Sequence, residues 1–150
     1  MRKILITVIA ACTGLACAAT QAHAGLFSAT GAVIAILAGE LFVGEAEGHL
    51  NGAGTLIIHS QQNPDLSCQG QFTSSAERGG SGQMLCSDGA TATFHFQRLS
   101  VMRGYGSGSF SRGDMSFAYG LTAEEIGPYL KLPQGKKLAY YGEKLTLVDL

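Results

Sequence analysis

The residues best suited to redox or metal chemistry are two cysteines and three histidines: Cys68, Cys86, His49, His59 and His95. A redox centre normally holds its cysteines at C-x-x-C spacing, where one thiolate is activated. A structural zinc site needs four ligands, usually arranged in close pairs. Here the cysteines are far apart in the sequence, and the histidines are not paired at i+2 or i+4. We therefore predict no redox centre, no metal site and no cofactor.

The two cysteines instead fit a structural disulfide across a β-hairpin. The expected antiparallel arms are Cys68–Ser75 and Gly82–Asp88. Pairing centred on Glu77 sets Cys68 directly opposite Cys86. Opposed residues in a non-hydrogen-bonded pair bring their Cβ atoms close enough for a disulfide. Closing a loop of this length stabilises a fold by about 3 kcal/mol in the chain-entropy model.

The amino terminus has the pattern of a secretory signal peptide over residues 1–24. Met1–Lys3 is positively charged, Ile4–Ala19 is apolar, and Ala22-His23-Ala24 resembles an A-x-A cleavage site. We expect cleavage after Ala24, which leaves residues 25–150 as a single β domain.

The apolar run of this signal is shorter than the about 20 residues that a membrane-spanning helix needs. We therefore do not expect the mature chain to span a membrane. Lipoprotein anchoring, through Cys12 or Cys17, is the less favoured alternative: Cys12 follows suitable small residues but leaves too short an apolar region, and Gly14 stands where a branched aliphatic residue usually precedes the lipidated cysteine.

Export predicts the compartment and restricts the partners. An exported chain is expected in the periplasm or the extracellular space, where cysteines form disulfides. Cleavage removes Arg2 and Lys3 from the 10 basic residues, which leaves 8 against 11 acidic residues and a net charge of −3. Without a basic stripe, nucleic acid is not an expected partner.

Turn motifs and glycine dominate the sequence after the signal peptide; the full sequence has 21 glycines and no tryptophan. Turn signals separate short β-type segments at Asn51-Gly52, Asn63–Asp65, Asp88-Gly89 and Ser111–Asp114. The fold class predicted is all-β, mainly antiparallel and glycine-rich, with about 6–8 short strands in a small barrel or sandwich.

One short helical turn is expected at Thr122–Gly127. Thr122 and Glu125 fit the capping-box pattern that starts a helix. Gly127-Pro128 should end it almost at once. A second segment, residues 26–41, is the most apolar part of the mature chain, and its sequence leaves open a buried strand, a helix or a docking segment.

Alternating glycines clear one face of a predicted strand at Gly104, Gly106 and Gly108. Such a face permits tight bending, a barrel corner or a bulky neighbour on bare backbone, and it suits either a flat docking surface or internal room.

A two-residue turn at Asp88-Gly89 would pair Leu85 with Ala92 and place both on one face. That face carries the predicted core, which consists of Leu85, Ala92, Phe94, Phe96 and, from later strands, Phe110, Phe117 and Tyr119. A single β-bulge would reverse this assignment.

No enzymatic activity is expected, because the sequence lacks G-x-S-x-G, S-x-x-K and H-E-x-x-H motifs. One weak exception is a metal site: a hairpin at Asn51-Gly52 is expected to bring His49, His59 and Glu47 fairly near one another.

The sequence favours an exported, non-catalytic envelope protein that binds another envelope protein or envelope component through a sheet face or an open edge. The alternative is a small-ligand carrier that uses a barrel interior. An interior cavity lined by Phe94, Phe96, Phe117 and Tyr119 would favour the carrier. A filled core with an exposed apolar patch would favour the binding module.

Overall fold

The computed structural model describes residues 28–75 and 77–150. The predicted signal peptide and its cleavage site lie outside the described residues. Eight strands come first: β1 Ser28–Leu37, β2 Glu40–His49, β3 Ala53–Ser60, β4 Ser67–Ser75, β5 Gly79–Cys86, β6 Thr91–Ser100, β7 Arg103–Phe110 and β8 Gly113–Tyr119. A 3-10 turn at Gly127–Tyr129 follows, and then a hairpin of β9 Lys136–Tyr141 and β10 Lys144–Asp149.

Strands β1 to β8 form a closed antiparallel barrel in which each strand pairs with the next along the chain. The barrel closes where β1 pairs with β8, with Val33 opposite Tyr119 and Leu37 opposite Met115. The prediction of a small antiparallel barrel is confirmed. Closure pairs both edges of the eight-stranded sheet, which leaves it no free edge.

The predicted turns at Asn51-Gly52 and at Ser111–Asp114 both join consecutive strands of the barrel. Gly52 adopts a φ of 86°, which a side-chain-bearing residue rarely does. Asn51 Oδ1 accepts a hydrogen bond of 2.9 Å from the Ala53 N–H. The glycine therefore provides the positive φ of the turn, and the asparagine side chain provides a hydrogen bond within it.

The register at the Asp88-Gly89 turn differs from the prediction. Leu85 lies opposite Thr91, and Met84 lies opposite Ala92. The turn is longer than two residues: the Cys86 N–H donates to the Ala90 carbonyl at 2.8 Å, and Gly89 has a φ of 87°. The added residue reverses the faces, so Leu85 is 59% exposed and not in the core.

The apolar segment 28–41 is a strand, β1, followed by a tight turn into β2. Val33, Ala35 and Leu37 face the barrel interior, whereas Ile34 and Ile36 face outward. Its apolar character is continuous because both faces are buried. The helical alternative for this segment is therefore wrong.

The carboxy-terminal segment covers the outer face of β1, β2 and β8. Ile34, Ile36, Leu41 and Ala118 of the barrel form one cluster with Leu121, Ile126, Leu130 and Leu145. The Glu125 side chain accepts a hydrogen bond from the Thr122 N–H at 2.9 Å, as one half of the predicted capping box.

The Glu125 and Ile126 N–H groups donate to the Thr122 carbonyl at 3.1 and 3.2 Å, which closes one turn at the predicted place. A regular 3-10 turn, Gly127–Tyr129, follows directly, and Pro128 takes one of its first positions, where a backbone N–H has no partner within the turn. Within the described residues, no helix has the length and apolar character needed to cross a membrane.

Candidate functional site: an apolar cavity inside the barrel

A cavity of about 390 Å³ occupies one half of the barrel interior. Its wall comes from inward-facing side chains of β1, β2, β3, β4, β6 and β8. The aromatic part of the wall consists of Phe72, Phe94, Phe96, Phe117 and Tyr119. Cavities of this size and apolar character are typical of sites for small organic ligands.

The other half of the interior is filled. Leu37, Phe42, Leu66 and Phe110 belong to the interior core and do not line the cavity. Cys68 lies opposite Cys86 in the β4–β5 ladder, and the two form a disulfide inside the barrel. The predicted disulfide and its register are confirmed. The barrel therefore has a closed, cross-linked end and an end that contains the cavity.

The mouth of the cavity lies where β1 begins and where the β2–β3 and β6–β7 loops turn. Ser28 and Ala29 line it on one side, with Leu50 and Val101 on the loops. Leu50 is 80% exposed and Val101 is 75% exposed. An apolar rim of this kind offers a continuous surface from solvent into the interior.

Alternating glycines make room for the aromatic wall. A Cβ atom at Gly106 would overlap the ring of Phe117, and a Cβ atom at Gly104 would overlap the phenol of Tyr119. The rings therefore lie against bare backbone of the neighbouring strand. The predicted use of these glycines, with bulky neighbours on a cleared face, is confirmed.

The aromatic residues also contact one another edge to face. The ring of Phe96 lies 5.6 Å from that of Phe72 and 5.9 Å from that of Tyr119, with interplanar angles near 90°. Such pairs contribute about 0.5–1.5 kcal/mol each beyond the burial of their area. The cavity wall is thus a packed aromatic surface spanning β4, β6 and β8.

Tyr119 and Arg98 bring polar groups into this apolar wall, in addition to Ser28 and His49 among the lining residues. Tyr119 Oη is buried and has no hydrogen-bond partner within the described residues. Burial raises the pKa of the Tyr119 hydroxyl above its usual 10.0, and the positive charge of Arg98 opposes the shift. The hydroxyl is therefore protonated at neutral pH and available as a hydrogen-bond donor.

Arg98 lines the cavity near its mouth. Its guanidinium donates to the Ser75 carbonyl at 3.2 Å, to the Val101 carbonyl at 2.7 Å and to Ser74 Oγ at 2.8 Å. All three acceptors are uncharged. The ion pairs within the described residues involve Arg103, Arg112, Lys131 and Lys136 and do not include Arg98.

The histidines are not brought together. His59 lies opposite Val43, six residues along β2 from His49, so about 20 Å of strand separates them. The expectation that the Asn51-Gly52 hairpin would bring them near each other is wrong, because His49 lies at the turn end of the β2–β3 hairpin and His59 lies near its other end. His95 lies on the exposed outer face of β6. In residues 28–75 and 77–150, no three metal-ligating side chains cluster.

Sequence reasoning named four of the aromatic residues but missed Arg98. The signal was present in the alternation of β6, where Ala92, Phe94, Phe96 and Arg98 occupy every second position. With the first three facing inward, period-two geometry places Arg98 on the same face.

Comparison of the chain with family models, curated proteins and solved structures finds no match.

Proposed function

We propose that this protein binds and carries a small, largely apolar molecule in its barrel interior. The observation that carries the proposal is the cavity of about 390 Å³ lined by Phe94, Phe96, Phe117 and Tyr119. These four residues are the ones that, from the sequence, would favour a carrier over a binding module. Burial of apolar surface supplies the driving force, at about 25 cal/mol per Å² removed from water.

The closed barrel also favours a small-ligand carrier over a module that binds a partner through a strand edge. A module that binds by strand addition needs an unpaired strand edge, and the eight strands of this barrel are all paired on both sides. In the barrel, a ligand can therefore bind in the interior cavity, whereas no unpaired strand edge accepts an added strand.

We place this activity outside the cytoplasm. The Cys68–Cys86 disulfide is typical of an oxidising, non-cytoplasmic compartment. Export through the predicted signal peptide, to the periplasm or beyond it, agrees with this chemistry and remains part of the proposal. The carrier role requires no enzymatic step, so we propose a non-catalytic protein.

Titration with N-phenyl-1-naphthylamine, a neutral dye that fluoresces in apolar surroundings, tests the carrier function. We expect saturable binding with one dye per chain. Gly48→Leu should abolish it, because a Cβ atom at this cavity-lining position meets only Phe72 Cζ at 4.0 Å and the longer side chain fills the free space.

Thr55→Leu is the matched control, since it adds the same side chain to the exposed outer face of β3. This variant should bind the dye like the wild type. Equal binding by both variants would place the dye elsewhere and contradict the proposal.

The binding-module alternative is supported by a different observation, the exposed apolar rim at Leu50 and Val101. Replacement of both residues by serine distinguishes the two functions. Both residues lie at the mouth and not in the interior, so dye affinity should fall less than in Gly48→Leu, whereas capture of an envelope protein through this rim would be lost.

A further inference from the structure

We infer that the ligand of this cavity carries a carboxylate, which Arg98 and Tyr119 bind at the inner side of the mouth. This inference rests on the proposed carrier function and deepens it by naming the chemical class of the ligand, an apolar body with one anionic end group.

The two residues lie in one row across three strands. Arg98 of β6 is opposite Gly104 of β7, and Gly104 is opposite Tyr119 of β8. Directly opposed residues share a face of the sheet, so all three point toward the interior. The middle position has no side chain, and the phenol of Tyr119 occupies that space.

Strand spacing sets the size of the gap. Adjacent strands lie about 4.7–4.9 Å apart, so the backbones of Arg98 and Tyr119 are separated by about 10 Å. The phenol lies over Gly104, whereas the guanidinium donates its hydrogen bonds to β4 and to the β6–β7 loop at the mouth. Both residues line the cavity, and within the described residues no hydrogen bond joins them to each other.

The charge of Arg98 is held in place without being neutralised. Three neutral acceptors use three of its five N–H donors. All 11 acidic side chains of the sequence lie in the described part of the chain, and none forms an ion pair with Arg98. A guanidinium with free donors at an apolar wall is complementary to a carboxylate.

Tyr119 supplies the second contact. A buried hydroxyl without a partner is unfavourable, and its pairing with a ligand oxygen removes that penalty. Because burial raises its pKa, this phenol stays protonated at neutral pH and donates to an anionic oxygen. Arginine and phenol together therefore select an anionic oxygen over an alcohol or a hydrocarbon end.

The test is displacement of N-phenyl-1-naphthylamine by decanoate and by decan-1-ol, which share a chain length and differ in charge. We expect wild-type protein to bind decanoate at least tenfold more tightly than decan-1-ol, as is typical of a hydrogen bond to a charged group. Acidification that protonates decanoate should remove this preference.

Two variants assign the preference to the named residues. Arg98→Gln should lower decanoate affinity at least tenfold and leave decan-1-ol affinity unchanged. Tyr119→Phe should lower decanoate affinity several-fold and leave thermal stability undiminished. If the hydroxyl had only a structural role, its removal would lower thermal stability instead. Arg98→Lys, which retains the charge, should recover part of the decanoate affinity. This variant distinguishes loss of the charge from a folding defect as the cause of weak binding by Arg98→Gln.

The outcomes separate the two proposals. Equal affinity for decanoate and decan-1-ol in the wild type, unchanged in Arg98→Gln, would overturn the carboxylate assignment and leave the carrier function standing. Failure of the wild type to bind the dye or either ligand would overturn the carrier function, and this inference with it.

Discussion

The phenol of Tyr119 occupies the space in which a Cβ atom of Gly104 would lie. The two residues are direct neighbours across the β7–β8 ladder. Because the ring lies over this glycine, it stays against the wall and its hydroxyl reaches toward β6. The absence of a side chain at Gly104 is therefore needed both for stability and for the position of the Tyr119 hydroxyl that is proposed to contact the ligand.

Gly104→Ala should therefore destabilise the protein by about 1–3 kcal/mol, the usual cost of overpacking a fitted interior. Chemical denaturation measures the change. Gly48→Ala is the matched control, because a Cβ atom there has no neighbour closer than 4.0 Å. Equal effects of the two substitutions would contradict this close packing of Gly104 against the Tyr119 phenol and the Gln97 carbonyl.

Replacement of Cys68 and Cys86 by alanine should lower the free energy of unfolding by about 2–5 kcal/mol, as for native disulfides in small secreted domains. The cross-link lies at the filled end of the barrel and does not line the cavity. Dye affinity should therefore persist in the fraction that folds. Free thiols titrating in the native protein would refute the bond, and loss of binding at unchanged stability would give the cysteines a role in function.

Alkaline pH should destabilise the wild type more than Tyr119→Phe. Burial raises the folded-state pKa of Tyr119 above 10.0, so the folded state retains a proton that the unfolded chain releases. The contribution of Tyr119 is complete below pH 10 and is lost as the pH rises through the folded-state pKa. Thermal melts from pH 8 upward measure it, and parallel curves for the two proteins would show that Tyr119 titrates as it does in the unfolded chain.

Acid pH should lower the stability of the protein in part by protonating Asp88, which lies at the closed end of the barrel. The Ala90 N–H and the Arg112 guanidinium, 3.0 Å and 2.6 Å away, hold the pKa of this carboxyl below 3.8. Its contribution to stability is present above pH 3.8 and is lost as the pH falls through the lowered pKa. Asp88→Asn should flatten this part of the pH–stability curve. An identical acid transition in wild type and Asp88→Asn would contradict the assignment.

The sequence was sufficient for features that depend on neighbours along the chain. Asn51-Gly52 and Ser111–Asp114 specify turns through their own backbone preferences, and the spacing around Glu77 sets the pairing of the two cysteines. The exception is the turn after Cys86. One additional residue there reverses the face of Leu85, and period-two alternation alone contains no information about that residue.

By itself, the sequence determined an antiparallel, glycine-rich β fold, the disulfide and the aromatic composition of the interior. Only the tertiary structure decided that one half of the interior is filled and the other contains a cavity. It also decided that Arg98 and Tyr119, the cross-strand neighbours of Gly104 on either side, both line that cavity. The reason is physical: turns and alternation are local, whereas free interior space depends on barrel closure between β1 and β8, which are far apart in the chain and whose pairing fixes where each inward side chain lies.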